Sequence, residues 1–185
     1  MKSLENHFLI AMPSMDDPFF KRSVTYICEH NDDGAMGLVI THPINVTVGE
    51  LLDQIDIEND KMAKSANQQV LAGGPVKVDR GFVLHSPRTG FSSSQSLSSD
   101  IMITTSKDVL ETLTRHDAPD SFIITLGYAG WTKGQLEQEL LDNAWLVVEA
   151  DSNVIFNTPI EKRWETAVKM LGIDVAQLSL QAGHA

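Results

Sequence analysis

Leu126-Gly127-Tyr128-Ala129-Gly130-Trp131-Thr132-Lys133-Gly134-Gln135-Leu136 carries more structural information than any other segment of this sequence. It follows Phe122-Ile123-Ile124-Thr125-Leu126, an apolar run that predicts a buried strand, and leads into Gln135 to Asn143, which predicts a helix. With Trp145-Leu146-Val147-Val148 beyond, the segment makes a βαβ-like unit, an arrangement that favours parallel pairing and a right-handed crossover. A glycine-rich turn between strand and helix is also a place where α/β proteins hold a phosphate. Here Thr132 followed by Gln135 predicts a capping box, and Trp131 with Leu136 a hydrophobic staple, so the first helical amides have local acceptors. Glu137, Glu139 and Asp142 add negative charge, and the glycine spacing does not match G-x-G-x-x-G. The expectation is a structural turn rather than a phosphate cradle.

Upstream, the N-terminal third predicts antiparallel strands at Phe8–Met12, Val24–Glu29 and Ala35–Ile40, with Asn31-Asp32-Asp33-Gly34 as turn chemistry. Gly37 inside the third suggests a bulge or a close backbone approach. Thr47 and Glu50 form a capping-box pattern ahead of Leu51, Leu52 and Ile55. Gly73-Gly74-Pro75 predicts a sharp turn between short strands at Gln69–Ala72 and Phe82–His85. The serine-rich segment Ser92–Ser99 has little to bury and reads as a mobile surface loop. Ser106 is placed to cap a helix carrying Val109, Leu110 and Leu113. Thr158-Pro159-Ile160-Glu161 predicts a helix start, with Ile160, Trp164, Val168 and Leu171 along one face and Gly172 closing it.

Four blocks together resemble the bacterial YqgE/AlgH family. They are Ala11–Val24, Glu29–Ile40, Gly73–His85 and the opening stretch from Leu126, and they span most of the chain. Thr41-His42-Pro43 departs from the family pattern, which more usually has Asn and a basic residue before Pro. The resemblance implies one α+β domain over residues 1–185, with a bifurcated mixed sheet and flanking helices: antiparallel in its N-terminal part, βαβ-like in its C-terminal part. It implies no catalytic residues. Some members of the family are labelled transcriptional regulators.

At 185 residues and 42% hydrophobic, the chain can bury one good core and is short for two independent domains. Its apolar runs fall far below the ~18 residues of a membrane-spanning helix. Phe8–Met12 is too short for a signal-peptide core and is stopped by Pro13. A single cysteine excludes an intrachain disulfide. The expected compartment is the cytoplasm, with no membrane partner. A net charge of −11, with 14 scattered Lys and Arg, argues against direct nucleic-acid binding.

Cys28 is the candidate nucleophile, with His30 two residues on and Arg22 near in sequence. Alternation places it beside Val24 and Tyr26, a face that suits a small buried hydrophobe, whereas His30 beside the turn is expected to meet solvent. Cys28, His30 and His42 lack a zinc spacing, and no metal or cofactor is expected. No Gly-x-Ser-x-Gly elbow is present. The densest polar group is Lys77, Asp79, Arg80, His85 and Arg88, after the Gly-Gly-Pro turn. Gathered into one cleft, Lys77, Arg80, His85 and Arg88 would clamp a small anion; alternatively Arg80 pairs with Asp79 or another carboxylate to brace the loop. Two functions compete, a non-catalytic module that binds a small ligand or a protein partner, with a regulatory role, and an enzyme acting on a small anionic metabolite through Cys28 or His85; the family label adds a third, a transcriptional regulator.

Overall fold

In the computed structural model, which describes residues 2–174 and 176–178, the N-terminal third is the expected antiparallel set: β1 (His7–Ala11), β2 (Val24–Asn31) and β3 (Gly34–Val39). Both faces of these strands are covered, so β1 and β2 are buried almost without alternation. Phe8, Ile10, Val24 and Tyr26 enter one core cluster, while Leu9, Ala11 and Ile27 enter another on the opposite face. Next come β4 (Pro43–Thr47), α1 (Val48–Gln54), β5 (Gln69–Ala72), β6 (Val76–His85), β7 (Ser94–Ser96) and β8 (Met102–Thr104). Helix α1 starts as its sequence specifies, with Thr47 and Glu50 capping each other reciprocally. The remaining elements are β9 (Phe122–Thr132), α2 (Gln135–Leu141), β10 (Trp145–Glu149), α3 (Ser152–Phe156) and α4 (Arg163–Met170).

All ten strands join one sheet, ordered β10-β1-β2-β3-β9-β6-β8-β7, with β4 and β5 branching from β9. The branch point is the opening motif, and here the structure corrects the expectation of a glycine turn. Phe122 to Thr132 is one continuous strand, and Gly127 and Gly130 lie inside it; only Lys133-Gly134 turns into α2. On one edge of β9, β5 pairs in parallel with Thr125 and Leu126, and β3 pairs antiparallel with Ala129 to Thr132. Strand β6 takes the other edge. Since β5 and β6 flank opposite edges of the same residues, Gly73-Gly74-Pro75 carries the chain across the β9 backbone. That crossing explains both glycine motifs. A Cβ at Gly73 would stand 2.4 Å from the Gly127 carbonyl oxygen, one at Gly74 2.0 Å from the Tyr128 carbonyl carbon, and one at Gly127 2.4 Å from the Gly74 carbonyl oxygen.

Gly127 also takes φ +77°, and it reverses the alternation of β9. Before it, Phe122, Ile124 and Leu126 face a cluster with α1, while Ile123 faces the main core. After it, Tyr128 faces the main core, and Ala129 and Trp131 face the cluster under α2. One strand thereby serves three clusters.

The βαβ-like unit is present in direction but not in pairing. Successive antiparallel neighbours make β9 and β10 run the same way, yet β1, β2 and β3 stand between them, and β10 pairs antiparallel with β1. Other local expectations shift. Gly134, not Thr132, is the N-cap of α2; only half of the predicted box survives, with Gln135 accepting from the Thr132 amide at 3.0 Å. Lys107–Thr112 is a 3-10 helix, and the Ser106 hydroxyl caps none of its amides, accepting instead from the Ser93 amide and donating to Asp108. Ser94–Ser96 of the serine-rich segment is not loose but forms edge strand β7, paired with β8. The C-terminal helix begins with a 3-10 turn at Ile160–Lys162, and the Thr158 hydroxyl donates to the Asn153 carbonyl rather than capping. Arg163 and Trp164 then anchor α4, donating to the Ile40 and Ala11 carbonyls at 2.7 and 3.0 Å. Among the described residues, no helix is long and apolar enough to cross a membrane.

Candidate functional site

Strands β2 and β6 are both bulged, and residues of the two bulged strands line one cleft of about 660 Å³. In β2, Ile27 lies opposite Gly37 but Glu29 lies opposite Met36, so Cys28 is the extra residue. In β6, Val76 faces Tyr128 and Gly81 faces Leu126: five residue steps against two, which throws Lys77 to Arg80 out of the ladder. Bulges re-aim side chains and are enriched beside functional sites. Here the first lets Cys28, Glu29 and His30 line one cleft although they are consecutive in a strand, and the second brings Arg80 over it.

Arg80 sits with its guanidinium carbon 5.3 Å from the Phe82 ring centroid, and Phe82 meets Tyr128 edge-to-face at 5.9 Å. It makes no ion pair or side-chain hydrogen bond with another described residue, so the expected brace to Asp79 is not formed; Asp79 lines a separate groove on the α1 side. The Glu5 carboxylate, the Gln95 amide and the Tyr128 hydroxyl, which also line the cleft, likewise have no side-chain hydrogen bond among the described residues.

Cys28 and His30 are differently placed. The Cys28 thiol is 5% exposed and donates weakly to the Tyr26 carbonyl at 3.8 Å. Burial, and after it the Glu5 and Glu29 charges, push its pKa far above the ordinary thiol range. A thiol so held is a poor nucleophile. His30 does not meet solvent as expected: it is 7% exposed, and both ring nitrogens are engaged. Nδ1 accepts the Leu4 amide at 2.9 Å, which puts the ring proton on Nε2, where it is donated to Glu137 at 2.7 Å. That bond holds the Glu137 carboxyl below its usual range.

Of the predicted anion cluster only Arg80 reaches the cleft. Lys77 and Arg88 are exposed and do not line it. His85 is completely buried, because the C-terminal half of β6 returns to the core after the bulge. Its Nδ1 donates to the Ser86 carbonyl at 2.8 Å, so Nε2 accepts from the Thr104 hydroxyl at 2.6 Å, and Ser94 continues the chain. Desolvation lowers its pKa, and Phe91 packs edge-to-face on the ring. The chain of hydrogen bonds ties β6 to β8 and β7, and leaves His85 neutral and unavailable to an anion.

Sequence reasoning missed Glu5, Gln95 and Tyr128. No local pattern marks them, since they meet only through the sheet order. It also cast Glu139 as mere negative charge. One of its oxygens accepts from both Trp131 and Trp145 indoles at 3.0 Å, and the other from Gln135 at 3.0 Å.

The AlgH-like family model matches residues 8–176. A UPF0301 protein from Pseudoalteromonas translucida is 73% identical over 185 residues, covering the whole of both chains. Another from Vibrio cholerae is 54% identical over 99% of this chain and 100% of its own. The solution structure of the AlgH protein from Pseudomonas aeruginosa superposes with a TM-score of 0.80 at 44% identity, covering 100% of each chain. A crystal structure of a Corynebacterium diphtheriae protein gives a TM-score of 0.75 at 20% identity over 92% of this chain and 88% of that one, a likeness of fold.

Proposed function

We propose that this chain, which belongs to the AlgH-like family, is a non-catalytic binding module with a small polar ligand as its partner and the cleft between the two bulges as its site. The observation that carries this is the set of polar ends in the cleft without internal partners. Polar side chains that have no partner within the protein and stay open to solvent, around a wall bent by two bulges, are available to a ligand. A non-catalytic role is supported by the state of the two reactive groups in the cleft: the thiol is held protonated, and the imidazole spends both nitrogens on Leu4 and Glu137. Ligand occupancy that alters the exposed rim for a protein partner would give the module its regulatory role.

A ligand-observed NMR screen of small polar metabolites, with hits mapped by amide shifts, tests the reading. The expected result is hits whose shifts centre on Cys28 to Asn31, Arg80 to Phe82 and Tyr128. Hits that map only to other surfaces, or that are turned over by the protein, would overturn it.

A further inference from the structure

The walls of the cleft carry opposite charges that do not neutralise one another. Arg80 stands on the β6 bulge beside Phe82, with Tyr128 and Gln95 close by on the same side of the sheet order. Glu29 follows the β2 bulge, and Glu5 stands in the segment before β1; both are near enough to Cys28 for their charges to raise its pKa. Neither carboxylate lies within 4.0 Å of Arg80 or of any other described cation, and Glu29 has only the Asn31 side-chain amide, at 3.3 Å. In a protein with net charge −11, a simple anion entering this cleft meets one guanidinium and two carboxylates. A simple cation finds the carboxylates but leaves the guanidinium without a partner. Each end of a molecule bearing both charges finds its complement, and Met36, Ile103 and the Tyr128 ring, all partly exposed, offer apolar surface in the same cleft.

Resting on the reading of the cleft as the ligand site, we infer that its ligand is a zwitterion of short-peptide type: a carboxylate taken by Arg80, an ammonium taken by Glu5 and Glu29, and an apolar or aromatic body against Met36, Ile103 and Tyr128. Arginine suits the carboxylate end because its planar fork donates two parallel hydrogen bonds. The volume accommodates a dipeptide, being within the range of small-molecule sites.

The test uses the full chain and five probes: leucyl-phenylalanine, its N-acetyl form, its C-terminal amide, the doubly blocked compound, and 3-phenylpropionate as a simple anion. Binding is followed by amide shifts and by calorimetry. The free dipeptide is expected to bind best, with either single block weakening it by about tenfold and the double block abolishing the cleft shifts. Arg80→Ala should become indifferent to amidation while still sensing acetylation. Glu5→Gln combined with Glu29→Gln should show the reverse. If 3-phenylpropionate shifts the cleft as strongly as the free dipeptide, the cleft remains a ligand site but the zwitterion inference is overturned. If none of the probes shifts the cleft, the inference is overturned too, and shifts there from unrelated metabolites then decide whether the cleft itself survives as a site. Equal binding of all four peptide forms would likewise contradict it.

Discussion

Single residues in this protein act through what surrounds them more than through their type. Cys28 is one case. Burial holds its thiol pKa above the ordinary thiol range, so the folded state holds a proton that the unfolded chain releases in alkali. The stabilisation tied to that proton is fully present below about pH 9 and is lost as pH rises further, and Tyr26, also shifted upward by burial, extends the loss. Unfolding free energy should therefore fall above about pH 9, and Cys28→Ala should flatten the first part of that fall. Thiol labelling should be slow in the folded protein at neutral pH and fast on unfolding; fast labelling of the folded form would contradict the shielded thiol. Glu139 is the second case. Glu139→Ala strands two indole N–H groups on nearly buried tryptophans and should cost about 2–3 kcal/mol in denaturant unfolding, whereas Glu139→Gln, which retains an acceptor, should cost less. Thr132 is the contrast. Its hydroxyl caps no helix, and Thr132→Ala should change stability by no more than about 0.5 kcal/mol.

At the level of elements, the lesson lies in where pattern and topology part. The strands at the N-terminus, the Thr47 cap and the helical face of Trp164 and Val168 were legible because apolar periodicity and capping chemistry are local. Gly127 was visible as a glycine, but its role was not. A turn and a bulge both ask for positive φ, and only the crossing of Gly73-Gly74 over β9 distinguishes them. The same holds for the basic cluster: five polar residues within twelve positions look like one site until a bulge sends Arg80 one way, Asp79 another and His85 into the core. Two glycines with the same φ of +77° separate backbone strain from crowding. Gly134→Ala meets nothing within 4 Å and should cost about 1 kcal/mol, the expense of a left-handed alanine. Gly127→Ala adds a collision with the Gly74 carbonyl and should cost about 3 kcal/mol or more, or prevent folding. Equal costs in denaturant unfolding would refute the interlocked crossing.

For the whole molecule, one strand organises everything else. Strand β9 holds β5 and β3 on one edge and β6 on the other, switches faces at Gly127, and brings the bulges of β2 and β6 around one cleft. The cleft thereby sits beside the crossing at Gly127, with Arg80 reaching it from the β6 bulge and Glu29, Gln95 and Tyr128 from paired strands. The most direct measurement is a calorimetric and amide-shift titration with the metabolite hits, comparing wild type with Arg80→Ala, Lys77→Ala and Arg88→Ala, all at exposed positions. The account predicts that Arg80→Ala alone weakens binding, by about tenfold or more, with the unfolding free energy of all three variants within about 0.5 kcal/mol of wild type. Equal losses in all three would restore the basic cluster that the β6 bulge disperses, and unchanged affinity in Arg80→Ala would contradict the cleft as the ligand site.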